Sequence, residues 1–169
     1  MPAAFDLESF LPYLLNQAAE ATSRSFQTLY QARYGLSRTG WRVIATLGKF
    51  GAMTARDICA LSHIEKTKVS RAVVGLQTEG LVDRHTSPDD KRAEILSLTA
   101  KGRALFAELG QTAICYDQEL RQTLGQTLGT DVSAQLDTVL RHLTATASDR
   151  RADDATSDIQ VTKADNGLG

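Results

Sequence analysis

The chain has 169 residues, 42% of them hydrophobic and 23% charged, with a formal net charge of −1. That length suits one domain with a real core, and that composition excludes both a disordered chain and a uniformly basic nucleic-acid protein. The charge is unevenly placed: residues 1–53 and 54–103 each carry net +2 and residues 104–169 carry −5, so an acidic end masks a mildly basic front.

Other function classes find little support. Cys59 and Cys115 are far apart, and His63, His85 and His142 are scattered, so no metal-ligand spacing emerges. No Ser/His/Asp order, Gly-rich phosphate loop or pair of catalytic carboxylates stands out. The expectation is therefore no enzyme, no catalytic residue, no metal and no cofactor. The first residues, MPAAFDLESF, carry acids rather than a basic n-region, and no apolar run reaches membrane-spanning length. The expected location is the cytoplasm, with no membrane partner.

In chain order, the first helix is expected over Leu7–Tyr34, with an apolar stripe of Phe10, Leu14, Leu15, Ala18, Ala21 and Leu29. Pro12 falls in its first turns, where a missing amide is tolerated, and Gly35 supplies a stop. Ser37 is placed to cap a second helix, Arg38–Lys49, burying Trp41, Ile44, Ala45 and Leu47. Phe50–Met53 reads as a linking loop. A third, short helix spans Thr54–Leu61, opened by Thr54-x-x-Asp57, a capping-box pattern. Ser62-His63-Ile64 is a short turn into the stretch that organises the chain, Glu65–Glu79.

This fourth helix has two faces. Val69, Ala72, Val73 and Leu76 recur at core spacing. Thr67, Ser70, Arg71 and Val74 form the opposite stripe, flanked by Lys66 and Lys68. Hydroxyls, a guanidinium and a methyl pair suit base edges and the thymine methyl of a major groove. An ordinary solvated helix face would carry the same residue types; the short helix and turn before it make the pair a helix-turn-helix. Gly80 then ends a turn. Leu81–His85 and Ala93–Leu98 read as two strands, with Glu94, Leu96 and Leu98 on one face, around the polar turn Thr86–Arg92. Thr99 is placed to cap a long helix to about Gly125, with Leu105, Leu109, Ala113, Tyr116, Leu120 and Leu124 recurring along it. A last helix, 132–146, carries Leu136, Val139, Leu140 and Leu143. Residues 147–169 are polar, acidic and aperiodic, and read as a disordered tail.

The run Asp90-Lys91-Arg92, followed by Leu96-Ser97-Leu98-Thr99-Ala100-Lys101-Gly102, resembles the wing and following helix of the MarR (multiple-antibiotic-resistance regulator) family. Thr67-Lys68-Val69-Ser70-Arg71, Leu76 and Gly80-Leu81-Val82 match its recognition-helix pattern at the right distance, and the likeness covers roughly residues 7–145. It implies a mainly α fold with a small β wing. Residues 37–99 would form a winged helix-turn-helix DNA-binding domain, and 7–34 with 100–146 a helical dimerisation region. It further implies an obligate homodimer on a pseudo-palindromic double-stranded DNA operator, read by Lys66, Thr67, Lys68, Ser70, Arg71 and Val74. The wing would press Arg92 into a minor groove, oriented by Asp90 and assisted by Lys91.

The family also implies a repressor released by a small organic effector in a cleft lined by its first, second and fifth helices. Arg38, Trp41 and Arg42, at i, i+3 and i+4, can share a face that holds a carboxylate and an aromatic ring. Aromatic acids, other anions and acyl-CoA thioesters are all admissible. Two alternatives differ in class. A thiol-based redox switch lacks its usual cysteine, since residues 1–58 contain none, and Cys59 reads as a small hydrophobe. A winged-helix protein–protein adaptor would have little use for a polar, basic outer stripe.

Overall fold

The computed structural model describes residues 5–86, 94–129 and 131–146. These fall into two compact units, with the boundary between Tyr116 and Asp117.

The first unit contains α1 (Leu11–Tyr34), α2 (Arg38–Phe50), β1 (Met53–Thr54), α3 (Ala55–Ser62), α4 (Lys66–Thr78), β2 (Val82–Thr86), β3 (Glu94–Leu98) and the start of α5 (Ala100–Leu128). α1 begins four residues later than its apolar pattern predicts. The reason is Pro12, which occupies the first helical turn; from Leu7, its ring would have met a carbonyl of an already formed turn. Gly35 stops α1 in the left-handed region at φ 66°, its N–H donating to the Gln31 carbonyl. Ser37 caps α2 by accepting from Gly40 N at 3.0 Å. The expected capping box at α3 is present in both directions: Thr54 Oγ1 accepts from Asp57 N, and the Asp57 carboxylate accepts from Thr54 N.

The linking loop before α3 holds a short strand. Met53 and Thr54 pair antiparallel with Leu96 and Ile95, which makes the ribbon a three-stranded sheet in the order β1-β3-β2. Two residues are too few to show a period. β2 and β3 pair from Val82↔Leu98 to Thr86↔Glu94, and Arg84 reaches diagonally to the Glu94 carboxylate at 2.6 Å. Leu96 and Leu98 are buried, whereas Glu94, on the same face, is exposed near the end of the pairing.

One core joins these elements: Val43, Ile44 and Leu47 of α2, Ile58 of α3, Val69, Val73 and Leu76 of α4, and Leu81, Val82, Leu96 and Leu98 of the sheet. Tyr30, Leu36 and Leu109 close it. Trp41, Ala45 and Ala72, expected inside, are only half-buried, while Val43 and Thr46 of α2 are buried. Thr46 is tolerated there because its hydroxyl donates to the Arg42 carbonyl. α1 meets this core with Phe26, Tyr30 and Tyr34, not with the aliphatic stripe read from the sequence. Phe10, Leu14 and Leu29 of that stripe are exposed, as are Leu7 and Leu11.

α5 starts against the sheet. Thr99 Oγ1 accepts from Gly102 N at 2.9 Å, the expected cap, and donates to the Gly80 carbonyl at 2.8 Å. Lys101 Nζ donates to the Glu79 carbonyl at 2.7 Å, covering an orphan acceptor at the end of α4.

The second unit comprises the end of α5 and a helix α6 over residues 132–146. Arg121 ties it together, donating to Asp117 at 2.7 Å and through both terminal nitrogens to Asp137 at 3.2 Å. Leu128, Leu136, Val139 and Leu140 are exposed. No described helix is long and apolar enough to cross a membrane.

Candidate nucleic-acid interface

The two faces of α4 separate cleanly. Val69, Val73 and Leu76 are 0–3% exposed and anchor the helix to α2, α3 and the sheet. Lys66, Thr67, Lys68, Ser70, Arg71 and Val74 are all exposed, and Val74 is 59% exposed although apolar. Arg71 has no side-chain partner among the described residues. Lys68 leans on Glu65 at 3.4 Å, and both side chains are well exposed, so that pair is weak. A helix held by its inner face, with unengaged donors and a methyl pair on its outer one, is stereochemically equipped to read a major groove. The turn into it bends at His63, in the left-handed region at φ 53°. Asp90, Lys91 and Arg92 lie outside the described residues, as does the tail from residue 147.

The three residues expected to hold an effector are neighbours on α2 with different surroundings. Trp41 belongs to an aromatic cluster: its ring centroid is 5.6 Å from Phe26 and 6.0 Å from Tyr30, and Phe26 is 5.3 Å from Tyr116. α1, α2 and α5 therefore converge there. Arg38 is engaged by Glu20 at 2.7 Å. That carboxylate also takes Arg24 at 3.1 Å, and the two guanidinium groups hold its pKa below the ordinary glutamate value. Arg42 is exposed, with no side-chain partner among the described residues. It lines a surface cavity of about 270 Å³ with Arg38, His63 and Lys68.

Tyr30 and Glu20 were missed by the sequence reading. Tyr30 is fully buried, and its hydroxyl has no hydrogen-bond partner among the described residues. Burial pushes its phenol pKa up, against the pull of the Arg38 and Arg42 charges. Phe26, Tyr30 and Tyr34 at i, i+4, i+8 were a legible signal for this face of α1; Glu20, eighteen residues from its partner, gave none. Cys59 is half-buried against the core, and Cys115 is exposed. Among the described residues no group of His, Cys, Asp and Glu could hold a metal ion.

Known proteins resemble the chain along most of its length. A family model described as the MarR family matches residues 34–93. The homoprotocatechuate degradative operon repressor of Escherichia coli is 27% identical over 143 residues, spanning 85% of this chain and 93% of its own. Among solved structures, the MarR family transcriptional regulator SPO1453 from Silicibacter pomeroyi DSS-3 superposes with a TM-score of 0.68 at 31% identity, covering 83% of this chain and 99% of that one. NadR in complex with 4-hydroxyphenylacetate superposes with a TM-score of 0.65 at 25% identity, covering 85% and 97%. With the winged helix-turn-helix and the exposed polar face of α4, these likenesses lead to one assignment: the chain belongs to the MarR family of DNA-binding transcriptional regulators.

Proposed function

We propose that the protein is a homodimeric repressor of a pseudo-palindromic operator, released by a small aromatic acid or similar anion. The observation that carries the reading is the outer face of α4: Thr67, Ser70, Arg71 and Val74 stand exposed on a helix whose other face is fixed in the core. Lys66 and Lys68 beside them supply charge for the backbone, and Arg71 a fork for a guanine edge. Asp90, Lys91 and Arg92 are assigned to the wing from the sequence alone.

Dimerisation is supported by apolar surface that water would otherwise cover. Phe10 and, on α1, Leu11 and Leu14, and separately Leu136, Val139 and Leu140 on α6, are each 40–55% exposed. A second copy is the partner the family uses, and a two-fold dimer sets two recognition helices against two half-sites.

The effector reading draws on Trp41, Arg38 and Arg42, with Tyr30 added. A fully buried hydroxyl without a partner, under the field of two guanidinium groups, suits a ligand bearing both a ring and a carboxylate. NadR is seen with 4-hydroxyphenylacetate, a phenol with a carboxylate, and a relative represses a homoprotocatechuate operon. These support a phenolic acid for this chain.

The test is a gel shift with the chain's own upstream region, repeated with 4-hydroxyphenylacetate and benzoate. Retarded DNA that either acid releases supports the proposal. Retardation that no acid relieves removes the effector half, and no retardation removes the operator half.

A further inference from the structure

The cavity lined by Arg42 shares no lining residue with the aromatic cluster and is bordered by the α3–α4 turn. Its walls are the first turns of α2, with Arg38 and Arg42, and the entry to α4, with His63, Glu65 and Lys68. Three permanent cations line it against the single Glu65 carboxylate. Of the three, Arg38 is occupied by Glu20 and Lys68 is loosely held by Glu65, whereas Arg42 has no side-chain partner among the described residues. An unpaired guanidinium in a concave cationic site presents a fork that matches two oxygens of one tetrahedral oxyanion.

The position decides which oxyanion. Lys68 follows Thr67 on α4, about 100° around the helix from it, so the cavity flanks the stripe Thr67, Ser70, Arg71 and Val74 and does not sit within it. Beside a stripe that faces base edges, the nearest DNA groups are the phosphates and sugars that position a protein on the duplex. We propose that this cavity is a phosphate seat, filled by a backbone phosphate of duplex DNA, with Arg42 as its principal donor and Lys68 at its rim. The proposal rests on the DNA-binding reading above. It adds a contact from α2, outside the helix-turn-helix, and gives Glu65 an opposing role, because its carboxylate repels the phosphate and detains Lys68.

The test is fluorescence anisotropy of the full chain on a labelled duplex of random sequence, across a salt series. Arg42→Gln should weaken binding roughly tenfold at low salt and flatten the slope of log affinity against log salt by about one unit per subunit. Arg42→Lys should keep the slope and recover part of the affinity. Glu65→Gln should tighten binding, an effect of opposite sign that a misfolded variant cannot imitate. If wild type binds with a steep slope and Arg42→Gln and Glu65→Gln both match it, the seat is refuted and the DNA-binding reading stands. If wild type shows no salt-dependent binding, the parent reading fails and the seat with it. A thermal shift with sodium benzoate separates the seat from the effector reading, which also draws on Arg42: an Arg42→Gln variant that loses the benzoate shift while its duplex binding is unchanged would leave Arg42 to the effector alone and overturn the seat.

Discussion

Gly102→Ala tests how the start of α5 is fixed to the sheet. Gly102 is buried, and an added Cβ would lie 2.1 Å from the Leu81 carbonyl oxygen and 3.3 Å from Leu98 Cδ2. Non-bonded heavy atoms settle at about 3.5–4.0 Å, so α5 or the Leu81 carbonyl must move by roughly 1 Å or more. The carbonyl is not free to move, because it accepts from Thr99 N at 3.1 Å. Overpacking of this kind costs about 1–3 kcal/mol, and loss of that hydrogen bond about 1 kcal/mol more. The sum, about 2–4 kcal/mol, corresponds to a Tm lower by roughly 5–15 °C for a chain of this size.

Two other glycines calibrate the expectation. At Gly75, within α4, an added Cβ meets nothing within 4 Å, so Gly75→Ala should stabilise by about 0.5–1 kcal/mol. At Gly48 it meets the Phe106 ring at 2.5 Å, but that side chain is half-buried and can swing, so the cost should fall between the two. The assay is urea unfolding followed by circular dichroism, at one fixed protein concentration because dimerisation would make the midpoint concentration-dependent. Gly102→Ala unfolding within about 0.5 kcal/mol of wild type, with an unchanged m-value, would refute this packing.

Three further outcomes are expected. Leu140→Asp places a charge on the exposed apolar face of α6 and should abolish the dimer in sedimentation together with operator binding; a variant that stays a tight dimer would mean the interface lies elsewhere. His63→Gly relieves the left-handed backbone of the α3–α4 turn, and net of glycine's entropy should stabilise by about 0.5 kcal/mol in the same urea assay; a clear loss of stability would mean the side chain holds the turn. Glu20, held down by Arg38 and Arg24, and Asp57, held down by its bonds from Thr54, have folded pKa values below the ordinary 4.5 and 3.8. Their contribution is complete above those ordinary values and is lost as pH falls through the depressed ones, so Glu20→Gln with Asp57→Asn should flatten the acid limb of stability against pH. An acid limb as steep as wild type would assign it to other carboxylates.

What the sequence made legible follows from how local each signal was. The α3 capping box, the two-faced α4 and the Thr99 cap each lie within a few residues, and each is present in the structure. β1 was invisible because a two-residue strand has no period and Thr54 also serves as a helix cap. α1 misled because it carries two apolar faces. The aliphatic one dominates by count, but the aromatic one, through Phe26 and Tyr30, meets the core. In the candidate site, Arg38, Trp41 and Arg42 could be grouped by spacing, but their different surroundings could not be seen. Glu20 on Arg38, Phe26 and Tyr30 around Trp41, and His63 near Arg42 come from other elements.

The central claim, that the outer stripe of α4 reads sequence, is tested most directly by the ratio of operator to random-duplex affinity for Arg71→Ala. Both affinities are measured by anisotropy at one salt concentration. Arg71 is exposed and carries no core contact, so the fold should survive the change. Loss of a guanidinium on a guanine edge should lower operator affinity by about 1–3 kcal/mol and random-duplex affinity much less, so that the ratio falls roughly tenfold or more. A ratio equal to wild type, with both affinities retained, would contradict the assignment of this stripe to base recognition.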